Sequence, residues 1–178
     1  MCSTQALPPP FYKSIASNDK EAIEDFKKNR DETKIFTDGS CTGGKVGASA
    51  VLYVNNTQVT TLYYHLGVAS EHMVFEAELV GMIMAAHLIS TVDGLPLPAS
   101  IFVDNQAAIL ASERPTSKPS HYLSINFREI VQEVHDRLKL SKNNISIHWI
   151  VVMIVTSHPS LVTPTRVYSQ SRPHPNSP

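Results

Sequence analysis

Two cysteines, Cys2 and Cys41, in a chain of 178 residues make no disulfide framework, and no Cys/His spacing matches a zinc site. Excess charge is also missing. Fifteen basic and sixteen acidic residues leave a net charge of −1, so no global basic field draws the chain to polyanions. Any such binding must rest on a local patch or on metal ions. Long apolar runs are absent too: the longest, Trp149 to Val155, is far short of the ~20 residues that span a bilayer. Residues 1–10 lack a basic start followed by an apolar stretch, so no secretory leader is expected. These absences together point to an intracellular setting, nucleus or cytoplasm, with no membrane partner. One further absence is local. After Ile150 there is no Asp or Glu at all, and the last 28 residues hold five prolines and eight Ser/Thr.

What remains is ordinary globular material, 42% apolar, enough for one domain with tails. Residues 1–33 read as an N-terminal arm without periodicity up to Ile15, then a short polar helix capped by Asn18 or Asp19 and ending near Asn29. Residues 34–150 read as the domain. Lys34 to Thr37 starts a strand, Gly43-Gly44 turns it into a second strand (Val46 to Val54), and Asn55-Asn56 turns that into a third (Gln58 to Leu66). From Val74 to about Thr91 the period changes to three and four, through Phe75, Leu79, Met82, Ala86 and Ile89, which marks the strongest helix. Gly94, Pro96 and Pro98 end it. A short buried strand (Ser100 to Val103), a helix from Gln106 to Ser112, an amphipathic helix from Leu123 to Leu138 (Ile125, Ile130, Val134, Leu138) and a last strand from Ile145 to Ile150 follow. The order β-β-β-α-β-α-α-β implies an α/β fold. Its mixed sheet has five strands, an antiparallel meander continued by β-α crossovers, with helices on both faces. Residues 151–178 read as an atypical tail without fixed structure.

Three acids stand where such a fold can gather them. Asp38 follows the first strand in Thr37-Asp38-Gly39-Ser40-Cys41. Asp-Gly is common turn chemistry, but Gly39 also admits close approach of a phosphate backbone, and Ser40 and Cys41 offer main-chain N–H groups. Glu78 lies in the first turns of the long helix. It reads either as a solvated acid favoured by the helix dipole or, given its place beside Gly81 and Met82, as a carboxylate with a cation partner. Glu76, two residues away, should point elsewhere. Asp104 ends the buried strand, at the edge where open α/β sheets gather ligands. Oxygen donors converging this way suit hard divalent metals. A basic stretch (Arg114, Lys118, Arg128, Arg137, Lys139, Lys142) reads either as a phosphate-binding surface or as a solvated helix face diluted by Glu129, Glu133 and Asp136.

Strand-end Asp, helix-start Glu and strand-end Asp, in that order, resemble the ribonuclease H family, type 1, and in particular the domain of fungal non-LTR retrotransposon polyproteins. Besides the acid contexts, Gly47-Ala48-Ser49-Ala50-Val51, Ala77-Glu78-Leu79, Val103-Asp104-Asn105-Gln106 and Ile147-His148-Trp149-Ile150 carry the resemblance. It implies endonucleolytic hydrolysis of the RNA strand of RNA–DNA hybrids, with two Mg2+ ions about 4 Å apart, which Mn2+ can replace. By the same resemblance, Asp38 would bridge both ions, and Glu78 and Asp104 would each complete one shell. Gly39, Ser40 and Cys41 would line the RNA strand, and Gln106 would reach the minor groove. A reverse transcriptase module is the implied neighbour in a parent element. The family pattern continues with Pro-Gly-His and a helix bearing a fourth acid. Here Val151-Val152-Met153-Ile154-Val155 follows instead, with His158 the nearest titratable group. This departure implies, as the alternative, a catalytically impaired remnant that only binds nucleic acid.

Overall fold

The computed structural model describes residues 8–113 and 120–151. Of the tail expected over 151–178, all but Val151 lies outside the described residues, as do Arg114, Lys118 and His158. Strands β2 (Thr33–Thr42), β3 (Lys45–Val54) and β4 (Thr57–Val68) form the expected antiparallel meander. Both hairpins turn on two residues at positive φ: Gly43 at 59° and Gly44 at 74°, then Asn55 at 51° and Asn56 at 61°. That geometry matches the right-handed twist of the flanking strands, and Gly and Asn adopt it at least cost. β5 (Ala99–Val103) pairs parallel to β2, and β6 (Ile145–Trp149) pairs parallel to β5.

The sheet has six strands rather than the expected five, in the order β1-β6-β5-β2-β3-β4. The addition is β1 (Tyr12–Ser14), parallel to β6, in a segment that the sequence reading assigned to an aperiodic arm. Three residues are too few to show alternation. Their pairing is secured by neighbours: Phe11 is buried against Phe127, with ring centroids 5.5 Å apart, and Lys13 forms an ion pair with Glu113.

Three helices cover one face of the sheet: α2 (Val74–Thr91), α3 (Gln106–Glu113) and α4 (His121–Leu138). α2 is buried on more than its predicted stripe, because it lies between the sheet and α4. Ala77, Leu79, Gly81, Met82, Ala85, Ala86, Leu88 and Ile89 are all buried. By length and composition it could cross a bilayer, but a helix packed on two sides is apolar all round for the same reason. In α4 the buried stripe runs Leu123, Phe127, Val131 and Val134. The predicted stripe shares only Val134 with it, and Leu138 is 45% exposed. Phe127, drawn inward by Phe11, sets the phase.

α1 (Asp19–Lys28), capped by the Asn18 side chain on Glu21 N–H at 3.0 Å, covers the other face. Phe26 packs edge-on against Phe102 (5.2 Å) and Phe36 (6.1 Å), and Phe36 stacks on Phe102 at 5.1 Å. The end of α1 is held by polar contacts: Asn29 donates to Ser100 Oγ (2.7 Å), Ser100 donates to Asp31 (2.5 Å), and Ser146 Oγ lies 3.0 Å from Ser100 and 2.9 Å from His148 Nε2. Burial pushes the His148 imidazole below its usual range, against the opposing pull of Asp31 and Asp25. Because Phe102 anchors this second core, Phe102→Ala is expected to cost about 3–5 kcal/mol in urea unfolding. Tyr122→Ala, at a 63% exposed position, should stay within about 0.5 kcal/mol of the parent.

Candidate metal centre

The candidate site is made by how closely α2 approaches β2. A Cβ on Gly39 would lie 2.6 Å from Glu78 N and 2.9 Å from the Ala77 carbonyl carbon. A Cβ on Gly81 would lie 3.2 Å from Thr37 Cβ and 3.3 Å from Ser49 O. With hydrogen at both positions and Ala77 between them, the first turns of α2 rest on the strand backbone. Glu78 is thereby delivered to the place where β5 ends beside the middle of β2. Its neighbour Glu76 is used differently: its carboxylate accepts from Met73 N–H (3.1 Å) at the helix start, so it points away from that place as expected.

Asp38 lies within β2, which continues to Thr42, rather than after the strand end. Its side chain shares the sheet face of Phe36, not that of Ile35, by the alternation of the strand. Asp104 follows β5 directly, and the next residue, Asn105, accepts from Ala108 N–H (3.1 Å) to open α3. Trp149 on β6 donates its indole N–H to the main-chain oxygen of Asp104 (3.1 Å). An indole N–H drawn partly out of solvent seeks an acceptor, and this one fixes the position of an acid. The sequence names Trp149 only as part of a motif and Gly81 only as a neighbour of Glu78; neither the pinning role of the first nor the packing role of the second was read from it. A glycine in the interior of an otherwise well-formed helix was the available signal.

The three acids named from the sequence do meet. One carboxylate oxygen from each of Asp38, Glu78 and Asp104 lies within 4.8 Å of the others. Such crowding of like charge in a low-dielectric place shifts protonation. Burial, then the charges of Asp104 and Asp38, push Glu78 up to about 9, partly offset by a hydrogen bond from the Gly39 backbone. Burial and the Asp38 charge raise Asp104 as well, with the neighbouring Glu78 carboxyl pulling the other way. Even so, Glu78 Oε2 and Asp104 Oδ1 are buried with no hydrogen-bond partner. Two orphaned carboxyl oxygens beside a third carboxyl group fit a hard cation: all donors are oxygen, as Mg2+ and Mn2+ prefer, with no soft or imidazole ligand among them.

Around this cluster, Ser40 is half-exposed, and Cys41 and Gln106 are exposed. Gly39 has a packing role that the sequence reading did not assign. Of the basic stretch, Arg128 donates to the carbonyls of Ser112 (3.4 Å) and Glu113 (2.7 Å), and Arg137 to that of Ser90 (2.5 Å). Both arginines tie helices together, while Lys139 and Lys142 are exposed.

No protein-family model matches the chain, and no curated sequence matches it. Solved structures do. Ribonuclease H1 from the halophilic archaeon Halobacterium salinarum superposes with a TM-score of 0.55 at 15% identity, over 76% of this chain and 98% of that one. The fold is that of the type 1 ribonucleases H. LC11-RNase H1, isolated from compost by a metagenomic approach, gives 0.55 at 15% identity, over 79% and 99%. The same enzyme in complex with an RNA/DNA hybrid gives 0.53 at 14% identity, over 78% and 99%. The ribonuclease H fold thus spans nearly the whole length of these neighbours, with three acids gathered in this chain where β5 ends.

In metal-free buffer the raised acids have a definite sign. Glu78 binds its proton more tightly folded than unfolded, so its contribution to stability is full below its ordinary value of 4.5 and is lost as pH rises toward about 9. Melting temperature with chelator should therefore fall across that window, and Glu78→Gln should flatten the decline. Added Mg2+ or Mn2+ should raise the melting temperature more at pH 8 than at pH 6, since proton and metal compete. Gly39→Ala should lose about 1–3 kcal/mol together with most of that metal response, read by the same melts. Gly43→Ala, whose Cβ meets nothing, should keep the response.

Proposed function

We propose that this chain is a metal-dependent endonuclease that hydrolyses the RNA strand of RNA–DNA hybrids. The observation that carries the reading is the meeting of Asp38, Glu78 and Asp104 within 4.8 Å, two of them with orphaned oxygens, on a ribonuclease H fold. These three residues would hold the metal. When bound, a pair of Mg2+ ions supplies Lewis-acid activation of water and neutralises charge on the scissile phosphate. The protein's own part is placement. Asp38 projects from a strand paired on both sides, Glu78 from a helix pressed onto that strand, and Asp104 from a strand end pinned by Trp149. Rigid elements of this kind hold a constellation more tightly than loops do.

On this reading, Gly39, Ser40 and Cys41 run along the RNA strand through their main chain, and Gln106, exposed at the start of α3, reaches the minor groove. RNA is selected through its 2′-hydroxyls and helix shape. With a net charge of −1, affinity comes from these local contacts rather than from steering. The hybrid would be met in the nucleus or the cytoplasm, and the likeness to retroelement domains makes a reverse transcriptase module the natural neighbour in a parent protein.

A second reading keeps the fold and the hybrid but not turnover. It is favoured by one observation: no Asp or Glu follows Ile150, so a fourth acid is lacking where the family carries one. Cleavage of a labelled hybrid decides between the two. The nuclease reading expects RNA-strand products with Mg2+, and a loss of at least about a hundredfold in Asp38→Asn, Glu78→Gln and Asp104→Asn. Binding without products in either Mg2+ or Mn2+ supports the remnant, and products that persist in all three variants overturn the assignment.

A further inference from the structure

Beside Asp38 the sheet carries a groove that the carboxylates do not account for. Asp38, Ser40 and Thr42 alternate on one side of β2. Their register partners on β3 are Ser49, Gly47 and Lys45, and Ser49 and Gly47 in turn face Tyr63 and His65 on β4. These residues line an open groove of about 310 Å3, at the small end of ligand pockets. Its floor is low because Gly47 has no side chain. Among the described residues, Lys45 is the single permanent cation in the lining. Tyr63 is 48% exposed, and His65 and Lys45 are exposed, although aromatic surface is ordinarily buried.

This combination has a chemical reading. Tyr63 and His65 lie two residues apart on one strand face, which separates their side-chain roots by about 7 Å, room for one planar base between the rings. Stacking on aromatic side chains is how proteins take up unpaired nucleotides, while in a duplex each base face is already covered by its neighbours. Ser40 and Thr42 offer hydroxyls, and Lys45 offers a phosphate partner. The groove begins at Asp38 without a break, so the strand whose phosphate reaches the carboxylates is the strand that can continue into it.

We propose that this groove holds an unpaired nucleotide of the RNA strand, its base stacked by Tyr63 and His65 and its phosphate held by Lys45. The chain would then favour hybrids that end in a single-stranded RNA extension. The proposal rests on the nuclease reading above for the identity of the strand.

Binding of the full chain to labelled oligonucleotides tests it, in calcium, which takes the same oxygen donors. The probes are a blunt RNA–DNA hybrid and the same hybrid extended by a few unpaired nucleotides of RNA, at either end, or of DNA. The expected result is about tenfold tighter binding with an RNA extension at one end, a typical worth of one stacked base. Tyr63→Ala and His65→Ala should abolish that preference without changing blunt-hybrid affinity or melting temperature, and Tyr63→Phe should retain it. Equal affinity for blunt and extended hybrids overturns the proposal. So does an equal gain from DNA extensions, or a loss in Tyr63→Ala that is the same for every probe. Magnesium-dependent cleavage of the blunt hybrid separates the two readings. Cleavage without any preference for an extension sinks the groove and leaves the nuclease standing. Tyr63-dependent binding of the RNA extension without cleavage in Mg2+ or Mn2+ keeps the groove and removes the nuclease.

Discussion

The whole site depends on one packing constraint, the close contact of α2 with β2. Gly39 on the strand, with Gly81 and Ala77 on the helix, removes the side chains that would otherwise hold the two elements apart. The approach is close enough that the Gly39 backbone hydrogen-bonds the Glu78 carboxylate. A helix at ordinary distance from a sheet would leave that carboxylate in solvent. Here it is 3% exposed and faces two aspartates that arrive from independent strands.

That packing stores an electrostatic conflict. Three acids gathered in a partly buried place repel one another when ionised, which pushes Glu78 up to about 9, and two of their oxygens have no partner. Proteins rarely leave buried polar atoms unsatisfied, and such pairs of perturbed acids mark functional sites more often than structural ones. A bound cation would relieve the conflict by taking the place of the proton, and the acidic group could hold one.

The two faces of the sheet divide the remaining work. One face is sealed by α2, α3 and α4 and contributes rigidity. The other is covered by α1 over the aromatic patch of Phe26, Phe36 and Phe102, and stays open toward β3 and β4 beyond Asp38. Because side chains alternate along β2, Ile35 belongs to the first face while Phe36 and Asp38 belong to the second. The strand thus anchors the core and presents the acid through successive residues.

Much of this was legible in the sequence. The meander, the long helix, the crossover and the acids Asp38, Glu78 and Asp104 followed from turn dipeptides and from the change of hydrophobic period, because these are local properties of backbone and side chain. Three things were not. β1 exists only because β6 offers it an edge and Phe127 a pocket for Phe11. The phase of α4 was set by that same partner, not by its own apolar residues. The roles of Gly81 and Trp149, and the burial of Glu78 against two other acids, belong to distances between elements far apart in the chain. Sequence by itself determined which residues carry charge and which elements bear them; only tertiary packing decided how near those charges come, since electrostatic and steric energies depend on separation in space rather than along the chain.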